Sequence, residues 1–333
     1  LSVVTHISPK IYVLILHWFF YFVYFFSVGV LVLRSNSVLK YYLIVLSPFL
    51  MTFQILDYQG GFRKEIIFFA LLSSTAVIGK IFEKQTFRKF AHFVFLFYPV
   101  LVFSHEALVI YFPYFIVLYL LNKNENEDLL RCFVYSLPTF ISFMIVVSYT
   151  YLNTEDSPLV VEAIIDSYNE LSDNFNYDKF KRGAIGLLTG KLVEQAKIFP
   201  LIINYHYIQK YLTLLIISMI PLIPLLDDLK YILKNRKIRM IFFVPLFLTF
   251  LLFFVQLDWG RHITINLVAI FILSIFVDQN FELSSKFDKS RTGIYVFLFS
   301  LIYSASWHMP HCCDRGIVAF DPLIYRIFKK AYL

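Results

Sequence analysis

Residues 11–33 read IYVLILHWFFYFVYFFSVGVLVL, twenty-three positions without a single charge. The hydrocarbon core of a bilayer takes about 20 apolar residues per helix. This stretch is therefore long enough to cross. The rest of the chain repeats the pattern. Nine further apolar runs follow: Tyr41–Leu56, Glu65–Gly79, Ala91–Phe103, Ala107–Leu121, Cys132–Tyr151, Tyr211–Leu226, Met240–Leu257, Ile263–Val277 and Thr292–Trp307. Several are shorter than a full crossing, which fits partial helices or a site cut into one membrane face. The expected fold is all-α: a polytopic transmembrane bundle of about ten spans, forming one integral membrane domain over 1–333.

Composition agrees. The 333 residues are 59% hydrophobic and 20% aromatic but only 16% charged, against about a quarter charged in soluble domains. That excludes a soluble enzyme and a disordered chain. Cys132, Cys312 and Cys313 are too few for a disulfide framework. The chain begins at Leu1 without an initiator Met, which leaves room for a preceding segment; no cleavable signal is expected in the residues present. The net charge of +7 reads as membrane topology rather than nucleic-acid binding. Stretches 34–40, 80–90, 122–131, 227–239 and 278–291 hold 2, 4, 2, 5 and 3 Lys/Arg, more than half of the 30. The positive-inside rule puts these stretches in the cytoplasm and the N-terminus outside. The tail residues Arg326, Lys329 and Lys330 fall on the wrong side of this scheme.

With that orientation the unusual polar residues gather on the outer side. The first group is Asp57-Tyr-Gln-Gly-Gly-Phe-Arg63-Lys64-Glu65. Its two basic residues open a helix, where free N–H groups already favour anions. Arginine adds a bidentate fork for phosphate. The second is Ser104-His105-Glu106, interrupting about thirty apolar residues. Ionisable groups so placed are costly without a role. An apolar setting is expected to raise the Glu106 carboxyl and suit it to proton transfer, with His105 as its partner. The third is Asp258-Trp259-Gly260-Arg261-His262 between two apolar runs, with Asp258 placed to orient Arg261. The fourth is the outer loop 152–209. Seven acidic residues precede Lys179, and a basic group, Lys179, Lys181 and Arg182, follows. An amphipathic helix is expected over Ser157–Leu171. Trp307-His308-Met-Pro-His311-Cys312-Cys313-Asp314 holds metal-ligand types, but adjacent cysteines fit one ion badly. No metal site is expected there.

Together these predict a site with Arg63, Lys64, Arg261, His262, Lys181 and Arg182 binding an anion, Asp258 orienting, and Glu106, His105 and Asp57 moving a proton. Cations at an outer membrane face suit a lipid diphosphate, whose leaving charge they would stabilise. No Walker loop and no Asp-x-Asp pair is present for a metal-nucleotide donor.

The layout resembles the O-antigen and capsule polysaccharide polymerases (Wzy-like), integral membrane glycosyltransferases of the outer face. The resemblance rests on about ten spans, a long outer loop between spans six and seven, and outer arginines. The segments Gly61-Phe-Arg63-Lys64-Glu65, Ser104-His105-Glu106-Ala and Asp258-Trp-Gly-Arg261 carry it. It implies transfer of a growing glycan from undecaprenyl pyrophosphate onto the next lipid-linked repeat unit. It also implies a multi-pass bacterial inner-membrane protein, no cofactor or metal, and a flippase and chain-length regulator as partners. The chain departs from the pattern in being short and in having one main outer loop. A glycosyltransferase using a polyprenyl-phosphate sugar, an O-antigen ligase, or a lipid-linked oligosaccharide flippase remain as alternatives.

Overall fold

The computed structural model describes residues 9–35, 47, 64–122, 129–152, 203, 205–254, 258–277, 292–307 and 309. Among these the chain is all-helical, with no strand. Ten α-helices are described: α1 (Pro9–Leu33), α2 (Glu65–Ile81), α3 (Lys84–Ser104), α4 (Pro113–Leu121), α5 (Leu129–Leu152), α6 (Tyr205–Ser218), α7 (Leu226–Lys234), α8 (Arg236–Leu252), α9 (Trp259–Val277) and α10 (Thr292–Ser306). Two 3₁₀ segments, Glu106–Tyr111 and Ile220–Leu225, lead into α4 and α7. Five helical stretches are long and apolar enough to cross a membrane: Ile11–Leu33, Lys84–Ser104, Leu130–Tyr149, Tyr205–Lys234 and Trp259–Val277. The expected span over Tyr41–Leu56, apart from Ser47, and the amphipathic helix over Ser157–Leu171 lie outside the described residues, as does most of the expected loop 152–209, whose last residues instead open α6 at Tyr205.

Large apolar side chains face outward along the long helices, among them Trp18, Phe22 and Phe26 of α1 and Phe93, Leu96 and Val100 of α3. An apolar belt of this extent on helices long enough to cross a membrane suits lipid. Helix α9 is the exception, because it is buried on almost every side from Gly260 to Ile275. A helix apolar all round belongs in the middle of a bundle. In lipid the bundle is held by close packing and by internal hydrogen bonds rather than by hydrophobic burial. Gly79 shows the packing: a Cβ there would meet the Phe87 and Phe276 rings at 3.0 Å. The Ser73-Ser74-Thr75 run shows the second device. Each hydroxyl bonds back to a carbonyl four residues earlier, at 2.8, 2.6 and 2.6 Å, so none of these three is left bare inside the helix bundle.

Contacts fix the direction of the helices. Glu65 of α2 pairs with Arg261 of α9. Fifteen residues further on, Lys80 Nζ donates to the Ile275 carbonyl at 3.1 Å. The two helices are therefore parallel. At 1.5 Å per residue the two polar contacts stand about 22 Å apart, less than the roughly 30 Å hydrocarbon thickness. Tyr24 against Phe69 and Ser27 against Ser74 make α1 parallel to α2 as well. Thr249 against Asn266 and Phe253 against Trp259 make α8 antiparallel to α9. The start of α2, the end of α3, the end of α8 and the start of α9 thus meet at one end of the bundle.

Candidate functional site

The meeting point is built by helix ends. His105 takes an extended backbone (φ −164°) and stops α3, its N–H donating to the Leu101 carbonyl at 2.9 Å. The chain re-enters as a 3₁₀ turn at Glu106. The freed Ser104 carbonyl, an orphan of the helix terminus, accepts from Lys64 Nζ. Cations at a helix C-terminus are favoured by its dipole. Glu65 stands in the first turn of α2, where a carboxylate is favoured for the converse reason. Arg261 in the first turn of α9 is set against the dipole and needs anions around it.

It has them. The Arg261 guanidinium donates through Nε to Glu65 Oε1, and NH2 also lies against that oxygen. NH1 donates to Asp258 Oδ2 at 3.2 Å. NH2 also donates to His105 Nε2. A guanidinium cannot accept a hydrogen bond, so His105 Nε2 is the acceptor and the ring proton sits on Nδ1. That nitrogen faces Glu106 Oε2 at 3.7 Å. Glu65 Oε1 stands 3.8 Å from His105 Nε2 on the other side, and Glu65 Oε2 is buried with no hydrogen-bond partner among the described residues. The Arg261 side chain is 15% exposed and that of Glu65 6%. Glu106 opens outward at 56% exposure. A hydrogen bond from the neighbouring imidazole and the charge of Lys64 hold its carboxyl down to about 2. This corrects the sequence expectation of a raised Glu106: burial is too slight to outweigh the imidazole beside it.

Below this cluster a line of neutral polar groups runs inward. His262 Nδ1 shares a hydrogen bond with the Tyr111 hydroxyl. One turn deeper the Tyr114 hydroxyl donates to Asn266 Oδ1 at 2.6 Å, and Asn266 Nδ2 donates to Thr249 Oγ1 at 2.8 Å. All five side chains are buried. The line ties the 3₁₀ turn and α4 to α8 and α9. To one side Trp259 stacks on Phe253 at 4.9 Å and meets Tyr207 and Tyr211 of α6 at 5.2 and 5.8 Å. Its indole N–H donates to the Phe253 carbonyl at 3.0 Å.

Of the residues singled out by sequence, Lys64, His105, Glu106, Asp258 and Arg261 are brought together. His262 is adjacent in sequence but points into the bundle, away from them. Asp57, Arg63, Lys181 and Arg182 lie outside the described residues. Glu65 was missed as a site residue, although its place beside Arg63 and Lys64 at a span start was a usable signal. Among the described residues no cluster of His, Cys, Asp and Glu could hold a metal ion. Compared with known protein families, curated proteins and solved structures, the chain matches none, so the functional reading stands on these residues.

Proposed function

We propose that the chain is an integral membrane glycosyltransferase that elongates glycans carried on polyprenyl pyrophosphate. It would be a bacterial inner-membrane protein of about ten spans, acting at the extracytoplasmic face. The observation that carries this reading is the Arg261 guanidinium. It is held at the start of a buried helix by Glu65, Asp258 and His105, with Lys64 beside the same helix ends and an ionised, exposed Glu106 next to His105. Sidedness is supported by charge. The described cations Lys80, Lys84, Lys89, Lys230, Lys234, Arg236, Lys237 and Arg239 belong to the far end of the bundle, as a cytoplasmic end would require.

The chemistry is substitution at the anomeric carbon. The bond from that carbon to the phosphate oxygen breaks, and polyprenyl pyrophosphate leaves with the electron pair. The hydroxyl oxygen of the acceptor sugar forms the new bond. Lys64 and the NH1 edge of Arg261, where Asp258 is the more exposed partner, stabilise the departing diphosphate. Asp258 and Glu65 hold the guanidinium in place beforehand, so little order has to be created as charge develops. Glu106 takes the hydroxyl proton. A carboxylate this acidic suffices because the hydroxyl becomes acidic only as the new bond forms. Arg63, Lys181, Arg182 and Asp57 belong to the same proposal as further diphosphate contacts and a second carboxylate.

The test is surface glycan length in cells carrying Arg261→Ala, with protein level and export of lipid-linked units measured alongside. Short chains with normal protein and normal export support a polymerase. Loss of export would indicate a flippase, and normal chain length would remove Arg261 from the site.

A further inference from the structure

At the opposite end of the bundle from the ion cluster, a second charged surface has a different character. Five cations occur within ten residues, Lys230, Lys234, Arg236, Lys237 and Arg239, and all five are exposed. They lie on α7 and the first turn of α8. The bend between the two helices is fixed. Asn235 Oδ1 accepts from the Lys237 and Ile238 N–H groups at 2.9 and 3.4 Å, which caps α8. Helix α7 turns Asp228 and Ile232 inward, both fully buried, and Ile238 of α8 packs into the same core. Lys230 and Lys234, one helical turn apart, form the outward stripe.

Among the described residues these charges have few carboxylate partners. Lys230 meets Asp227 at 3.0 Å, an exposed pair that water and salt screen. No carboxylate among the described residues forms an ion pair with the other four. Asp228 itself is turned into the interior. Beside the cations stand exposed apolar residues: Leu226 and Tyr231 on α7, Met240 and Phe243 on α8. Because α8 runs antiparallel to α9, its first turn lies level with the C-terminal end of α9, where Lys80 reaches the last carbonyls. One turn further along α8 the lipid-facing surface begins, with Phe243 and Phe247 exposed. With α8 crossing a bilayer, the cations would stand at its headgroup layer.

We infer that α7 and the first turn of α8 form a binding surface for anionic phospholipid headgroups. Basic residues alternating with exposed Leu, Tyr and Met, next to a membrane span, suit a charged leaflet better than a soluble acidic protein. The phosphates neutralise Lys234, Arg236, Lys237 and Arg239, while Leu226, Tyr231 and Met240 seat among the upper acyl chains. This surface is independent of the glycosyltransferase reading.

The test uses the full chain reconstituted in phosphatidylcholine with spin-labelled phosphatidylglycerol or spin-labelled phosphatidylcholine as probe. Electron spin resonance reads the relative association of the two. Each cation at a charged interface contributes roughly fivefold at low salt. Wild type is expected to prefer phosphatidylglycerol by tenfold or more, the preference shrinking as salt is added. The triple variant Lys234→Gln, Arg236→Gln, Lys237→Gln changes exposed side chains only and is expected to lose most of it. An equal triple variant at Lys84, Lys89 and Arg131, cations of the same end outside this surface, is expected to lose less of it, and an equal loss would overturn the inference in favour of diffuse charge. Wild type without preference overturns the inference, as does a first triple variant that prefers phosphatidylglycerol as strongly as wild type. Capture of polyglutamate in place of the lipid overturns it in favour of an acidic protein partner.

Discussion

Replacing Glu65 by Leu removes the carboxylate that accepts from Arg261 Nε and lies against NH2. What remains is a guanidinium 15% exposed, with Asp258 at 3.2 Å and His105 as its partners. Breaking a buried ion pair from one side costs about 3–5 kcal/mol. Asp258 still supplies a counter-charge, so the lower end, about 3 kcal/mol, is expected. Arg261→Met alone leaves Glu65 buried with an unpaired charge and is expected to cost a similar amount. The double variant has neither charge. Apolar replacement of a whole buried pair is often close to neutral, so the double should be far more stable than the sum of the singles. The cycle should return a coupling of about 2 kcal/mol or more. Reversible unfolding in mixed micelles, titrated with dodecyl sulfate and followed by circular dichroism, measures all four proteins. Singles that add to the double within about 0.5 kcal/mol would refute the pairing, and with it the means by which Arg261 is held.

Gly79→Ala gains about 1 kcal/mol of helix propensity and loses a similar amount by crowding the Phe87 and Phe276 rings. It should be nearly neutral, whereas Gly79→Leu should lose about 2–3 kcal/mol in the same unfolding assay. Tyr111→Phe strips His262 Nδ1 of its partner and should cost about 1 kcal/mol; adding His262→Phe should recover part of that loss. The Glu106 carboxyl is depressed to about 2. Its contribution to the folded state is therefore complete above its ordinary value near 4.5 and is lost as pH falls towards 2. Infrared difference spectra against Glu106→Gln should show an ionised carboxylate at pH 4, and His105→Ala should bring its protonation back to the ordinary range.

Much of the architecture is legible in the sequence because a bilayer sets a single length and a single polarity for every span. Ile11–Leu33 corresponds to α1, and Cys132–Tyr151 and Ile263–Val277 fall inside α5 and α9. Which span lies at the centre is not legible. In lipid an outer helix is as apolar as an inner one, so Ile263–Val277 looks no different from Ile11–Leu33. Within the site, Asp258 directly precedes α9 and stands three residues before Arg261, and their pairing follows from that spacing. The Glu65–Arg261 pair joins residues 196 apart, and no local pattern announces it. Arg261 and His262 are neighbours, yet about 100° of helical rotation sends one to the boundary and the other into the core. The charge state of Glu106 depended on exposure, which apolar flanking residues misrepresented.

The central claim is that Arg261 and its neighbours stabilise a departing polyprenyl diphosphate while glycan moves to the next lipid-linked unit. Purified protein in liposomes, given polyprenyl-pyrophosphate-linked oligosaccharide alone, tests it most directly. A ladder of longer lipid-linked glycans with matching release of polyprenyl pyrophosphate is expected, and neither product from folded Arg261→Ala. A folded wild-type protein that releases no diphosphate, or an Arg261→Ala protein that makes the same ladder, would contradict it.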